Sequence, residues 1–421
     1  MVKKMAENIN LKNNIEKQLP AELVSFIKIA GDFTNRQGQH LYLVGGMVRD
    51  LLLKRTNLDI DLVVEGDAIK LAKKLAEIVK GQIKTHPRFN TATLKWQKWS
   101  IDLATARSET YEKPGALPKI KPSTLKNDLS RRDFTINAMA IELNPERYGQ
   151  LIDQFGGIKD LEQKFIRILH EKSFTDDATR IWRSLRYEQR LNFQLEPKTL
   201  QLLKQDINML RTISNERIRH ELELVLKEDL PEKALKRAFE LQVLSKLHSS
   251  LKVDDWLTDK FKKAHGVKMP SVALYLALLA YRLSERENEE LISQLRLTKS
   301  LTQTLRDSNQ LKAKCEIMTN NKLPSSHIYE LLNDYSSTTI KATYLANDSP
   351  PIQQNINLFL NKLRYIKPAL TGADLKERGI ESGPRMKEIL RKLHQARLDG
   401  KVKDKKGEVG LVKGWNRKNP L

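Results

Sequence analysis

The sequence predicts an α+β protein in which a mixed strand-and-helix block precedes a chain that is almost wholly helical. Two observations carry this. Up to about residue 155, short strand-like runs (LYLVGG, LDIDLVV, TATLKW, SIDLAT and INAMAIEL) alternate with helical segments. Beyond Asp177, apolar residues recur at steps of three and four, as in ATRIWRSLRYEQRLNF, SNERIRHELELVLKE and SVALYLALLAYRLSE. At 421 residues the chain is too long for one small domain, and two to four are expected.

Residues 1–20 are polar and read as a frayed terminus. From Pro20 to about Asn35, Leu23, Phe26, Ile27 and Ile29 give helical spacing. Between Thr105 and Ser123, Pro114, Gly115, Pro118 and Pro122 stand among charges, so this stretch reads as a mobile loop. No internal repeat of fixed period is evident. From Arg385 to Leu421 there are 12 Lys/Arg against 4 Asp/Glu. That stretch begins as a helix (MKEILRKLHQARLDG) and reads as ending in a basic tail with Trp415.

Lys+Arg is 74 and Asp+Glu 52, a net charge of +22. Such a surplus suits a polyanionic partner, nucleic acid or an anionic membrane face, although a solvated Lys-rich surface also produces it. The only cysteine, Cys315, rules out a disulfide framework or a thiolate metal site within one chain. The opening MVKKMAENINLKNN is too polar for a signal peptide, and no apolar run reaches membrane-spanning length. The expectation is a cytoplasmic protein in a reducing compartment, without membrane attachment.

The first chemical constellation is Leu43-Val-Gly-Gly-Met-Val-Arg49-Asp50, followed by Asp59-Ile-Asp61. Side chains at i and i+2 of a strand share a face, so Asp59 and Asp61 project together toward the turn at Gly45 and Gly46. Backbone without a Cβ approaches phosphate closely. The helix read from Met47 to Lys54 turns its N-terminus to the same anion, with Arg49 on its first turn to fork onto phosphate. Taken alone, Gly-Gly is a tight turn and Asp-x-Asp a solvated strand end. In this order and spacing they suit carboxylates that hold two Mg²⁺ against a triphosphate. Asp102, between Ile101 and Leu103, is a candidate third carboxylate or an ordinary exposed strand residue.

Two more motifs follow. Arg131-Arg132-Asp133-Phe-Thr-Ile-Asn137 suits a segment cradling sugar and phosphates, with Asn137 bonding a ribose hydroxyl, or else a surface Arg-Arg leading into a core strand. In Thr175-Asp176-Asp177-Ala-Thr-Arg180-Ile-Trp-Arg183-Ser-Leu-Arg186, Thr175 or Asp176 is expected to cap a helix. Asp177, Arg180 and Arg183 then share a face, which reads either as a surface ion pair or as a base reader. Cytosine and adenine each offer an amino donor beside a ring-nitrogen acceptor, which carboxylate plus guanidinium complements. Uracil and guanine reverse that pattern and are rejected. Arg183 and Arg186 continue toward phosphates.

Together LVGGMVRDLLLKRTNLDIDLVV, RRDFTINAMA and DDATRIWRSLRYEQRLNF resemble the bacterial class II tRNA nucleotidyltransferases. These are the CCA-adding enzymes, related to bacterial poly(A) polymerases in the polymerase β superfamily. The resemblance is close over residues 41 to about 225 and rests on helical character beyond. It implies a polymerase-β-like nucleotidyltransferase head (20–155), an all-helical neck for base recognition (156–250), and a helical body and basic tail that bind tRNA (251–421). It further implies Mg²⁺ on the catalytic Asp59 and Asp61, and nucleotide contacts from Gly46, Arg49 and Arg132. Asp177 and Arg180 become the protein template that accepts CTP and then ATP, and Arg183 and Arg186 help hold the triphosphate. The loop from Arg107 to about Ser123 corresponds to the family's flexible loop. The partner is tRNA, at its acceptor stem and 3′ end. Two departures are visible: Asp176 stands where Glu is usual, and Lys54 where glycine is frequent. Full CCA addition is expected, with CC-only, A-only or poly(A) addition as alternatives. A non-catalytic RNA-binding protein is the alternative of another class, although it calls for a broken metal pair. Oligomeric state is left open.

Overall fold

The strand-like runs of the first third pair into one seven-stranded sheet, seen in a computed structural model that describes residues 9–56, 58–267, 270–320 and 322–418. In chain order the strands are β1 (Leu41–Val44), β2 (Ile60–Val64), β3 (Gln82–His86), β4 (Thr91–Trp96), β5 (Trp99–Thr105), β6 (Arg107–Thr110), β7 (Lys119–Pro122), β8 (Met139–Glu142) and β9 (Leu151–Asp153). The sheet order is β3-β4-β5-β2-β1-β8-β9, and β6 pairs with β7 outside it. β2 and β5 are parallel, and the other neighbours are antiparallel. This register sets Asp61 opposite Asp102, and Asp102 opposite Thr93. Along β5, Ile101 and Leu103 are buried while Asp102 is exposed, the alternation of a strand with one open face.

The helices of this block are α1 (Lys12–Gln18), α2 (Ala21–Asn35), α3 (Gly46–Leu52), α4 (Ala68–Val79) and α5 (Leu125–Ser130), and α5 packs through Leu125 and Leu129 on Val63 and Ala104, on the same face as Asp61 and Asp102. The Asp67 carboxylate accepts the N–H groups of Ile69 and Lys70 and so starts α4. The frayed terminus expected over residues 1–20 is overturned where it is described. Leu11, Ile15 and Leu19 are buried at four-residue steps, and Leu11 N–H donates to Gly149 O at 2.7 Å. Residues 1–8 lie outside the described residues. The expected loop between Thr105 and Ser123 is instead the β6–β7 hairpin, with Arg107 opposite Pro122 and Thr110 opposite Lys119.

The chain then turns helical, through α6 (Gly157–Gln163), α7 (Ser173–Asp176), α8 (Thr179–Leu191), α9 (Pro197–Asp206), α10 (Asn215–Val225) and α11 (Pro231–Glu240). A short parallel pair, β10 (Phe165–Ile166) and β11 (Gln194–Leu195), interrupts it. α8 packs against α10 and α11. The segment read as the head and all but the last four residues of the segment read as the neck lie in one compact unit, residues 1–246.

Residues 247–421 form the second unit. Its helices are α12 (Asp255–His265), α13 (Val272–Ala280), α14 (Glu285–Leu295), α15 (Lys299–Lys314), α16 (Ser325–Leu332), α17 (Ser337–Ala346), α18 (Pro350–Asn361), α19 (Gly372–Lys376), α20 (Pro384–Leu398) and α21 (Lys405–Lys418). Ser271, Ser284 and Ser336 cap α13, α14 and α17. Leu311, Met318, Leu332 and Ile356 are wholly buried in one apolar cluster, each worth about 1.5–3 kcal/mol relative to exposure. The expected basic tail is not a tail: residues 405–418 are helical. Val412 and Trp415 pack on Leu375, Met386 and Leu393, because burying that apolar stripe outweighs the helix cost of Gly407, Gly410 and Gly414. No described helix is long and apolar enough to cross a membrane.

Candidate active site

A cleft of about 420 Å³ opens in the first unit where the carboxylate-bearing face of the sheet meets α8. Gly45, Gly46, Asp61 and Asn137 line it from the sheet side, Glu109, Tyr111 and Pro118 from the hairpin, and Asp177, Thr179, Arg180, Arg183 and Tyr187 from α8 and its approach. Arg131, Arg132 and Asp133 complete the wall.

Gly45 has φ +72°, and a Cβ there would stand 2.9 Å from the Arg132 guanidinium and 3.7 Å from the Asp61 carboxylate. Only glycine fits both the backbone and the space. α3 follows directly, at Gly46 rather than the expected Met47. Lys54, beyond its end, takes φ +55°, the left-handed conformation that glycine adopts without strain. The unusual lysine therefore keeps the backbone geometry at a modest steric cost.

Burial pushes the Asp61 carboxyl up to about 6, and the charges of Asp59 and Asp102 add to that against the opposing pull of Arg132. The three carboxylates are thus close enough to feel one another, although Asp59 precedes β2 rather than lying on it. Thr93 Oγ1 donates to Asp102 Oδ1 at 2.6 Å. Among the described residues no three His, Cys, Asp or Glu side chains form a ready metal cage. Mg²⁺ asks for less, one or two carboxylates with the remaining ligands from water and phosphate. A crowded carboxylate with a raised pKa is a donor that a divalent cation relieves, so these residues fit the ion.

Behind them lies a chain of paired charges. Asp128 accepts from Arg131 at 2.7 Å and from Arg132 at 3.0 Å. Glu109 reaches from the hairpin to Arg131 and Arg107, both at 3.0 Å. Asp133 Oδ2 accepts from Arg183 at 2.5 Å, and its Oδ1 from the Phe134 N–H and from Asn137. Burial alone would raise the Asp133 carboxyl, but Arg183 and Asn137 hold it down at about 2. Asn137 Oδ1 accepts from Arg49 at 2.7 Å, and Arg49 forks onto Asp50 at 2.8 and 2.9 Å.

The predicted site residues therefore divide. Gly45, Gly46, Asp61, Arg132, Asn137, Asp177, Arg180 and Arg183 meet at the cleft, with Asp59 and Asp102 beside Asp61. Arg49 does not: its buried guanidinium turns inward behind Gly46 instead of toward phosphate, because Asp50 and Asn137 satisfy it there. Both ends of the Asn137 amide are likewise engaged, by Arg49 and Asp133, rather than left for a ribose. Arg186 is buried and directed at Glu228, 3.5 Å away, outside the cleft. Neither Thr175 nor Asp176 caps α8. Both belong to α7, and Asp177 Oδ1 accepts the Thr179 N–H at 3.0 Å and its hydroxyl at 2.7 Å. Arg217 also donates to that Oδ1, at 2.7 Å. Arg180 is fixed through Ser173 Oγ and Arg131 O, both at 2.6 Å. Sequence reasoning missed Glu109, Tyr111, Asp128, Tyr187 and Arg217. For Asp128 a signal existed, since it stands three and four residues before the Arg131-Arg132 pair it holds.

A sheet that aligns Asp61 with Asp102 beside a Gly-Gly turn, facing a polar cleft, is the architecture of a nucleotidyltransferase head. Residues 41–167 match the poly(A) polymerase head domain, and residues 192–254 match a family described as a probable RNA- and SrmB-binding site of polymerase A. The A-adding tRNA nucleotidyltransferase of Halalkalibacterium halodurans is 32% identical, over 98% of this chain and 97% of the relative. That of Geobacter sulfurreducens is 35% identical over 96% of this chain, which spans only 48% of that longer relative. Among solved structures, the CCA-adding enzyme of Thermotoga maritima complexed with tRNA aligns with a TM-score of 0.77 at 31% identity, covering 97% of this chain and 99% of that one. The chain belongs to the bacterial class II family of tRNA nucleotidyltransferases and poly(A) polymerases.

Proposed function

We propose that this protein adds nucleotides to the 3′ end of tRNA from CTP and ATP, without a nucleic-acid template, and releases pyrophosphate. The observation that carries the reading is the convergence of Asp59, Asp61 and Asp102 on one side of a cleft whose other side presents Asp177 and Arg180. The terminal tRNA hydroxyl attacks the α-phosphate in line. Asp59 and Asp61, with Asp102 steadied by Thr93 beside them, would hold Mg²⁺, which would lower the hydroxyl pKa and neutralise charge on the leaving oxygens. Arg132, beside Gly45, and Arg183 face the triphosphate. Asp177, anchored through Oδ1, offers its second oxygen to the amino group of cytosine or adenine, and Arg180 donates to the adjacent ring nitrogen. UTP and GTP leave both groups mispaired. Positioning and charge stabilisation supply most of the acceleration. The basic surface of the second unit takes the tRNA by phosphate contacts and shape.

Full CCA addition is the first reading. A-only addition is the second, favoured by the activity named for the full-length Halalkalibacterium relative. Both share the terminal A. The test offers tRNA transcripts ending at the discriminator base, at C and at CC, with labelled CTP and ATP singly and together. Completion of all three to CCA and then arrest supports the first reading. Extension of only the CC-ended RNA, by one A, supports the second. Long A tracts would mean a poly(A) polymerase, and no incorporation with tRNA still bound would mean a non-catalytic RNA-binding protein.

A further inference from the structure

Four arginines surround one aromatic ring at the wall of the cleft. The guanidinium carbons of Arg49 and Arg186 lie 5.2 Å from the centre of the Tyr187 ring, and those of Arg183 and Arg190 lie 5.7 Å from it. Three of them follow from α8 itself: Arg183 and Arg190 flank Tyr187 at four and three residues, and Arg186 precedes it. Arg49 comes from α3, so the ring ties the base-facing helix to the helix behind the Gly-Gly turn. Phe134 meets the ring edge-on at 5.8 Å and fixes its plane. Each arginine also has a carboxylate: Asp50 for Arg49, Asp133 for Arg183, and Glu228 for Arg186 and Arg190. These three carboxylates serve four guanidiniums, so one positive charge is left in need of an electron-rich neighbour. The negative face of an aromatic ring meets that need, and such contacts strengthen as water is excluded.

We infer that Tyr187 is a positioning residue for the triphosphate: its ring spaces the four guanidiniums and keeps Arg183 presented to the cleft. This rests on the reading that the cleft takes a nucleoside triphosphate. Asp133 holds Arg183 from one side only, and Tyr187 supplies the second constraint that stops the guanidinium from swinging away from bound phosphate. The hydroxyl is a hydrogen-bond partner of Arg49, so it is the ring that acts on Arg183.

The experiment measures equilibrium binding of CTP, ATP and inorganic tripolyphosphate to the full-length protein and to Tyr187→Leu and Tyr187→Phe, with tRNA binding and thermal unfolding alongside. Tyr187→Leu is expected to weaken all three anions about tenfold, from the loss of cation–π contacts. It should raise KM for the nucleotide more than it lowers kcat, and leave tRNA affinity unchanged. Tyr187→Phe is expected to restore binding to within about twofold. Tyr187→Met, which fills similar space without a π face, replaces the leucine variant if that does not fold, and is expected to behave like it. Wild-type affinity in the leucine or methionine variant, or a phenylalanine variant as weak as either, overturns the inference. Failure of the underlying reading looks different: the wild-type protein itself then binds neither CTP nor ATP.

Discussion

The two units bury different things. The first buries charge: Arg49, Asp50, Asp128, Asp133, Asp160, Arg180, Arg186, Glu188 and Glu221 are all nearly inaccessible. In the second, Lys260 and Glu408 are the buried Lys, Arg, Asp or Glu side chains among the described residues, and the core is Leu, Ile, Met and Phe. Apart from the pairs of Lys260 with Asp348 and of Glu408 with Arg397, ion pairs such as Arg306–Glu289 and Lys392–Glu388 sit in solvent. Buried charge seldom adds net stability, because desolvation consumes the Coulombic gain. A protein keeps it where a fixed geometry of charge is needed. The first unit is therefore built to hold groups at set positions around the cleft, and the second is held by apolar packing, with Lys260 its one buried lysine or arginine among the described residues.

Mutations should follow the same division. Asp61→Ala is expected to lower nucleotide incorporation at least about a thousandfold, with tRNA binding retained. A labelled-nucleotide assay beside a filter-binding assay checks it, and retained turnover would remove Asp61 from the chemistry. Asp133→Ala leaves Arg183, Asn137 and the Phe134 N–H without their acceptor. A loss of about 3 kcal/mol in urea unfolding is expected, at the lower end for a buried pair because Arg183 is partly exposed. Since the folded-state pKa of Asp133 is held down near 2, that stability is present above about pH 4 and is lost as pH falls toward 2.

Asp61 carries the opposite sign. Its folded-state pKa is raised to about 6, so its ionisation costs stability as pH rises from about 4 through 6. In metal-free buffer, Asp61→Asn is expected to stabilise the protein by about 1–3 kcal/mol at pH 7–8 and to leave it unchanged near pH 4. A melting series over pH distinguishes these. In the second unit, Glu289→Gln at the solvent-exposed pair with Arg306 is expected to leave the melting temperature unchanged, as exposed pairs generally do. A clear drop there would mean that the second unit also depends on its charges.

Much of the frame was legible. The strands β1, β2, β4, β5 and β8 and the helix at Ala21–Asn35 stand where the apolar patterning put them. The residues 9–19 were misread although Leu11, Ile15 and Leu19 carry a four-residue spacing, because polar neighbours masked three apolar positions. The β6–β7 hairpin gave no signal: its strands, RSET and KIKP, lack apolar alternation and are held by backbone pairing and by Glu109 with Arg107 and Arg131. Three glycines hid α21, whose place is set by the cluster it covers.

The sequence by itself determined the backbone demands and the candidate site groups: glycine at 45, carboxylates two apart at 59 and 61, arginines at helical spacing along α8. These follow from local geometry, from φ and from the periods of strand and helix, which a chain carries without its fold. Only the tertiary structure decided which of those charges faces the cleft. Arg49 and Arg186 have the same chemistry as Arg183, yet Asp50, Asn137 and Glu228 draw them away, while Asp133 keeps Arg183 at the wall. A guanidinium goes where its acceptors are, and those acceptors come from other segments of the chain, which local sequence does not encode.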